Sequence, residues 1–131
     1  MSVISLLKKM KASRIASLRE VAQRTNEGHE FGCCLADFLD GFYPTPTEVA
    51  IHEEPKKISS YYDSYLAAVA DDCCRRYHWI LPRWCLKQER FLKDPFFAAK
   101  THALRMLYLM DSPAAFRERN IFVSANALSR V

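Results

Sequence analysis

Apolar residues recur at helical spacing along most of the chain, and the pattern is clearest in its second quarter. Six of them fall at i, i+3, i+4, i+7, i+8 and i+11, namely Phe31, Cys34, Leu35, Phe38, Leu39 and Phe42. This spacing predicts a helix with one continuous apolar stripe. The helix should end by Pro44, because proline disfavours helical geometry in the residue before it.

Two other segments also have helical periodicity. The first runs from about Val3 to Thr25, with a break near Lys11–Ser13, where Ser13 would begin a second helix. Gly28 follows it, and glycine readily takes the left-handed conformation that closes a helix. The second runs from Ser60 to about Tyr77, and the spacing of Ser60 and Asp63 is typical of a helix cap. Its apolar face contains Tyr62, Tyr65, Leu66, Val69 and Cys73.

The rest of the chain alternates irregular and helical stretches. Residues 43–58 are rich in proline and charge, and we expect a connector anchored by one helical turn at Val49, Ala50 and Ile51. Asp94-Pro95 and Ser112-Pro113 each pair a capping side chain with a proline, which predicts a helix start. The helix after Asp94 would carry Phe97, Leu104, Leu107 and Tyr108, and Ile121–Val123 would form a short strand or plug the core.

These elements predict an all-α fold, a compact single-domain bundle of five or six helices with an irregular C-terminal segment. The predicted domain spans residues 1–131, a length that can bury a core without disulfides or metal. Only three glycines occur, which disfavours a sheet-rich fold with many tight turns.

Localisation follows from hydropathy and cysteine usage. No apolar run approaches the roughly 18–20 residues of a membrane span, and the N-terminal apolar stretch precedes its lysines, the reverse of a secretory signal. The five cysteines are odd in number and lack a disulfide framework, so reduced thiols are expected. The sequence therefore predicts a cytoplasmic protein with no membrane partner.

Catalytic and metal sites find little support. Cys74 and His78 share a helical face but supply too few zinc ligands. Cys34 follows His29 by five residues, yet it belongs to the apolar stripe and is better interpreted as a core thiol. Asp71 and Asp72 diverge on a helix, which favours solvated surface over paired acid–base chemistry. We therefore expect a non-enzymatic protein without metal or cofactor.

Nucleic-acid binding is the alternative function. Lys8, Lys9, Lys11 and Arg14 give the first predicted helix a basic side, as in a small DNA-binding transcriptional regulator. The net charge of +4 is mild, however, and the next helix should present carboxylates that repel phosphate: Glu30, Asp37 and Asp40. Nucleic acid is thus the second hypothesis, behind a protein partner.

The C-terminal segment has the most distinctive sequence. Arg117 and Arg119 are two residues apart and should splay from a helix end. One would neutralise helix C-terminal carbonyls, and the other would face a carboxylate or phosphate of a partner. The tail, residues 124–131, is short and mildly apolar, so it should either fray or dock on its own core or another chain.

This segment also resembles a known family. The family consists of small uncharacterised all-helical bacterial proteins, and the resemblance lies in the C-terminal pattern Ser112-Pro113-x-x-Phe116-Arg117-x-Arg119-Asn120-Ile121-Phe122-Val123-Ser124-x-Asn126-Ala127-Leu128-Ser129-Arg130. Segments 38–43, 65–68 and 92–97 are similar to the family's order, with Phe96 where tryptophan is more frequent. The resemblance implies no established activity. Such proteins are often encoded beside nucleotidyltransferase-like toxins, which implies an antitoxin-like partner of such a toxin.

We therefore expect a protein-interaction module that binds through its C-terminal segment. The expected contact residues are Arg117, Arg119, Asn120, Asn126, Leu128 and Arg130. On this hypothesis, removal of residues 124–131 leaves the fold intact and abolishes binding.

Overall fold

A computed structural model describes residues 14–130 of the chain. Within this range the helices are α1 (Leu18–Asn26), α2 (Phe31–Phe42), α3 (Val49–His52), α4 (Ser60–Tyr77), α5 (His102–Asp111) and α6 (Ala114–Arg117). Two 3₁₀ turns, Arg83–Leu86 and Gln88–Arg90, and two strands, β1 (Phe96–Phe97) and β2 (Ile121–Phe122), complete the regular structure described. The predicted all-α fold is confirmed. No helix in the described range has the length and hydropathy of a membrane span.

The first described helix begins later than the sequence suggested. Ser17 caps α1, because its Oγ accepts a hydrogen bond from the Glu20 amide, and Glu20 in turn accepts one from the Ala16 amide. These two hydrogen bonds fix the helix start at Leu18. The predicted break and the start at Ser13 lie outside the described residues. Gly28 has φ +106° and closes the α1–α2 turn, as expected.

Helices α2 and α4 supply much of the core, and both form where the sequence predicts them. Phe31 of α2 stacks on Tyr62 of α4 with ring centroids 4.2 Å apart, while Leu66 and Val69 of α4 have no exposed surface. Full burial of each such side chain contributes about 1.5–3 kcal/mol. The predicted cap of α4 is displaced by one residue: Ser59 accepts from the Tyr62 amide.

The connector is anchored by a single helical turn, α3. Ile51 is buried there, and its carbonyl accepts a hydrogen bond of 3.2 Å from the Trp84 indole. Ala50 is buried beside it. The expectation fails for Val49, which is 76% exposed because a four-residue helix turns only one side to the core.

The helix start predicted at Asp94-Pro95 is wrong. The Phe96 amide donates to the Asn120 carbonyl at 2.8 Å and the Ala98 amide donates to the Phe122 carbonyl at 2.9 Å, so this backbone pairs as a parallel strand. The helix begins instead at His102, capped by Thr101. The alternative of a short strand at 121–122 is correct, and its partner is the segment that sequence analysis expected to be helical.

The helix start predicted at Ser112-Pro113 is correct, but the predicted capping residue is wrong. Helix α6 starts at Ala114, after Pro113, but Ser112 does not cap it. The Ser112 Oγ instead accepts a hydrogen bond from the Val123 amide at 2.9 Å and donates one to the Tyr108 carbonyl at 2.6 Å. This hydroxyl therefore fastens the end of α5 to the residue that follows β2.

The C-terminal tail docks on its own chain. Leu128 is buried, its carbonyl accepts a 2.7 Å hydrogen bond from the Tyr43 hydroxyl, and Arg130 binds both carboxylate oxygens of Asp40 at 2.9 and 3.1 Å. Of the two expected fates of the tail, docking on its own core is correct. The expectation that the fold survives loss of residues 124–131 therefore loses its basis.

We predict that Leu128→Ala lowers the free energy of unfolding by about 2–3 kcal/mol, because it removes buried side-chain volume next to α2. Urea unfolding followed by circular dichroism measures the change. Asn126→Ala is the control, since Asn126 is exposed and its hydrogen bonds are made by its backbone, which the substitution keeps. Equal stability of both variants would contradict a docked tail.

Candidate functional site

Three of the residues expected to bind a partner have structural roles instead. Arg119 and Leu128 are buried. Asn120 has φ +62°, and its amide group donates to the Leu92 carbonyl at 2.8 Å, which holds the chain entering β2. These three side chains are not presented to a partner. Arg117, Asn126 and Arg130 are exposed, although Arg130 is engaged with Asp40.

Arg117 and Arg119 point in different directions, as predicted. One of the two expected roles, the neutralisation of helix C-terminal carbonyls, is observed for Arg117. Arg117 donates to the Met110 carbonyl at 3.4 Å, near the C-terminal end of α5, and so compensates a terminal carbonyl. Arg119 does face a carboxylate, but that carboxylate belongs to Asp71 of its own chain.

The Arg119–Asp71 ion pair is nearly sealed from solvent. The Arg119 Nη1 lies 2.7 Å from the Asp71 Oδ2, and its Nη2 donates to the Cys85 carbonyl at 2.9 Å. The guanidinium also lies 4.5 Å from the centre of the Phe91 ring. Asp71 is 5% exposed, so the expectation that it is solvated surface is wrong, because it sits on the α4 face that packs against α6.

A second buried arginine, Arg90, was missed by sequence reasoning. It donates to the carbonyls of Asp63 at 3.2 Å and Pro55 at 2.8 Å, and it lies over the Trp84 ring at 5.0 Å. Arginine is usually exposed, and nothing near position 90 in the sequence marks it as different. Its contacts join the connector to α4, which is a structural role.

The residues of the nucleic-acid hypothesis do not form a described basic helix face. Arg14 is exposed and precedes α1, so it is not on the helix where it was expected. Lys8, Lys9 and Lys11 lie outside the described residues.

The carboxylates of α2 are engaged within the chain. Glu30 caps α2 by accepting from the Gly32 and Cys33 amides, Asp37 accepts from the Ile15 amide, and Asp40 pairs with Arg130. The hydrogen bond from Arg130 lowers the pKa of Asp40. These groups thus hold together the α1–α2 end of the molecule and the tail.

The cysteines have the environment of structural thiols. Burial raises the pKa of Cys73 and of Cys85 to about 12, and it raises the pKa of Cys34 as well. A raised pKa leaves the thiol protonated and poorly nucleophilic. Cys33 is the exposed one among the five. Among residues 14–130, no group of three or more His, Cys, Asp or Glu side chains is placed to hold a metal ion.

The most unusual surface of the described chain is helix α5. Its large apolar residues are exposed to solvent in fractions of 39–75%, and no residue of the helix is buried. We call this set the α5 patch: Leu104, Met106, Leu107, Leu109 and Met110. A helix that is apolar on nearly all sides is normally covered by protein or lipid. The patch amounts to roughly 500 Å², near the top of the range for the largest apolar patch on a monomer.

Helix α5 is held firmly at its two ends while its sides stay open. Thr101 caps the first turn, and the Arg105 Nε donates to the Ala99 carbonyl at 3.1 Å while its guanidinium lies over the Phe97 ring at 5.6 Å. Ser112 and Arg117 bind carbonyls of the last turn. The helix is therefore positioned as a rigid element that presents apolar side chains.

Comparisons with protein-family models, with curated proteins and with solved structures give no match to the chain. The family resemblance of residues 112–130 accordingly remains an expectation.

We predict that Asp71→Ala lowers the free energy of unfolding by about 3–5 kcal/mol, because it leaves the buried Arg119 guanidinium without its counter-ion. Chemical denaturation measures the loss. Asp72→Ala is the matched control: Asp72 is less buried than Asp71 and pairs with the half-exposed Arg76 one turn along α4, so we expect a loss of less than about 1 kcal/mol.

The double variant Asp71→Ala/Arg119→Met separates ion pairing from simple loss of contacts. It removes both charges, so it should be more stable than Asp71→Ala alone. A double variant less stable than the single one would contradict our account of the pair.

We also predict that a thiol reagent modifies one cysteine of the folded protein, Cys33, and all five after denaturation. A hydrogen bond to Glu30 raises the pKa of Cys33. Glu30→Gln should therefore lower that pKa, raise the thiolate fraction and shift the rate profile to lower pH. Cys33→Ser identifies the reactive site, and a native-state reaction that persists in it would contradict the burial of the others.

Proposed function

We propose that the protein is a non-enzymatic protein-interaction module that binds another protein chain through the α5 patch. The observation that carries the proposal is the exposure of an entire apolar helix: Met110 is 75% exposed and Met106 is 49% exposed. Isolated exposed apolar residues are ordinary on protein surfaces, but a contiguous set on one element marks an interaction site.

The composition of the patch suits protein binding. Three leucines supply branched apolar volume, and two methionines supply flexible thioethers that adapt to an irregular partner surface. Enrichment in methionine is typical of interface cores. The apolar side chains also recur every three to four residues, which is how an amphipathic helix presents anchors to a groove.

The proposed surface differs from the tail that sequence analysis favoured. The tail is docked through Leu128 and Arg130, so it has little left to offer a partner. Arg117 lies beside the patch through its hydrogen bond to the Met110 carbonyl, and it is the expected contact residue that this proposal retains.

The antitoxin-like role is supported by the family resemblance alone. A nucleotidyltransferase-like toxin is accordingly the first heterologous partner to test. Its binding by α5 would place Arg117 at the charged rim of an apolar centre, an arrangement common in protein interfaces.

We predict that Met106→Glu reduces partner binding at least tenfold, because it places a charge at the centre of the patch and desolvating it on binding is costly. Quantitative co-purification with a nucleotidyltransferase-like protein, co-expressed with the wild type or the variant, measures the effect. The partner should remain bound to the wild type at equal stoichiometry.

Ile80→Glu is the matched control for this experiment. Ile80 is 91% exposed and lies outside α5, so the same apolar-to-acidic change should leave binding unaltered. Equal loss in both variants would point to a nonspecific effect of charge. If Met106→Glu binds the partner as well as the wild type does, α5 is not the binding site.

A further inference from the structure

We infer that the α5 helix of one molecule packs antiparallel against the α5 helix of a second copy of this chain, about a two-fold axis near Met106 and Leu107. The inference rests on the proposed function, because it identifies the occupant of the α5 patch. It is drawn from the pattern of side chains on α5, the charges at its two ends and the size of the patch.

The face of α5 turned from its own chain has the spacing of a helix–helix contact. Ala103, Met106, Leu107 and Met110 fall at i, i+3, i+4 and i+7, and all four are exposed. On the opposite side, Arg105 and the half-buried Tyr108 face the rest of the molecule, where Arg105 contacts Ala99 and Phe97. One further helix could lie along the exposed stripe with its side chains interdigitated.

The charges at the ends of α5 oppose its own dipole. Lys100 and His102 lie at the N-terminal end, where the partial charge of a helix is positive, and Asp111 lies at the C-terminal end, where it is negative. None of the three forms a salt bridge with another residue of the described range. For an isolated helix these three charges are unfavourable, and at the C-terminal end Arg117 offsets part of the disadvantage through its hydrogen bond to the Met110 carbonyl.

An antiparallel second copy reverses that disadvantage. With the axis between Met106 and Leu107, position 103 lies opposite position 110 of the other copy, and position 102 opposite position 111. Asp111 of each molecule then lies beside the positive N-terminal end of the other α5 and beside its Lys100 and His102. A parallel pair would instead place like charges together, so the charge pattern selects the antiparallel orientation.

A two-fold contact also uses the same surface twice, as isologous dimers do. The whole patch offers at most roughly 500 Å² per molecule and the contact stripe only part of it, below the roughly 800 Å² per partner of a standard stable interface. The area therefore supports a reversible dimer that dissociates on the order of micromolar concentration or above, in contrast to a permanent one.

The first test is sedimentation equilibrium of the full chain from micromolar to millimolar concentration, with Cys33→Ser to prevent adventitious crosslinks. We expect a monomer–dimer equilibrium. Met106→Glu should abolish the dimer, while Ile80→Glu, an equal change at an exposed residue outside α5, should leave it intact. A monomer at every concentration, or a dimer indifferent to Met106→Glu, would overturn the inference.

Asp111→Lys tests the charge argument with two readouts of opposite sign. The new cation suits the C-terminal end of its own helix, so monomer stability should not fall. Across the proposed interface it meets the positive end of the other helix, and dimer dissociation should increase about tenfold, since the contact occurs twice. Glu27→Lys makes the same charge change after α1 and should alter neither. A dimer unaffected by Asp111→Lys would contradict the antiparallel packing.

Crosslinking establishes the orientation directly. Ala103→Cys and Met110→Cys, each in the Cys33→Ser background, are mixed and treated with a short bis-maleimide. Antiparallel packing predicts mainly crosslinks between the two different variants. Crosslinking of each variant with itself would indicate a parallel contact and overturn the proposal.

The outcomes also separate this inference from the proposed function. A chain that stays monomeric while its binding to a nucleotidyltransferase-like protein depends on Met106 would overturn the dimer and leave the interaction module intact. A chain that neither dimerises nor loses a partner through Met106→Glu would remove both.

Discussion

The buried ion pair between Arg119 and Asp71 joins parts of the chain that are far apart in sequence. Arg119 follows α6, Asp71 lies on α4, and the same guanidinium binds the carbonyls of Ala115 and Cys85. An arginine with so little exposure is stable only when its charge and most of its donors are matched. The order of the C-terminal third therefore depends on this pair, since the strand β2 begins two residues after Arg119.

The position of α5 depends on the segment that this ion pair holds, because both ends of the helix are connected to β2 or its neighbours. Strand β2 holds β1 in parallel register, and β1 leads through Ala99 to the start of α5. At the other end, Ser112 ties the helix to Val123. Both ends of α5 are thus fixed to the C-terminal segment, while none of its residues is buried.

Sequence reasoning succeeded where a single apolar face determines an element. The stripe of α2 and that of α4 each pack on one core, so their periodicity predicted both helices, with the cap of α4 wrong by one residue. It failed at Asp94-Pro95 because a cap is a local signal, whereas the pairing of Phe96 with Ile121 is set by distant backbone. The burial of Asp71 and Arg119 had no local signal, because charged residues are exposed by default. The spacing Ser17-x-x-Glu20, in contrast, is a local signal from which the start of α1 can be predicted.

The apolar character of α5 is visible in the sequence, which predicts a helix carrying Leu104 and Leu107, but their spacing does not show that the helix lies on the surface. Hydrophobicity predicts that a helix is covered by protein, but it does not distinguish the core of the same chain from a second chain. The charges at its ends carry the missing information, because Lys100 and Asp111 are each misplaced for an isolated helix and well placed for an antiparallel pair. Both the apolar exposure and the reversed charges are unfavourable in the monomer, and one contact between two copies relieves both. A different protein partner would cover the apolar residues equally well, but it would need matching charges of its own to compensate the charges at the ends of α5.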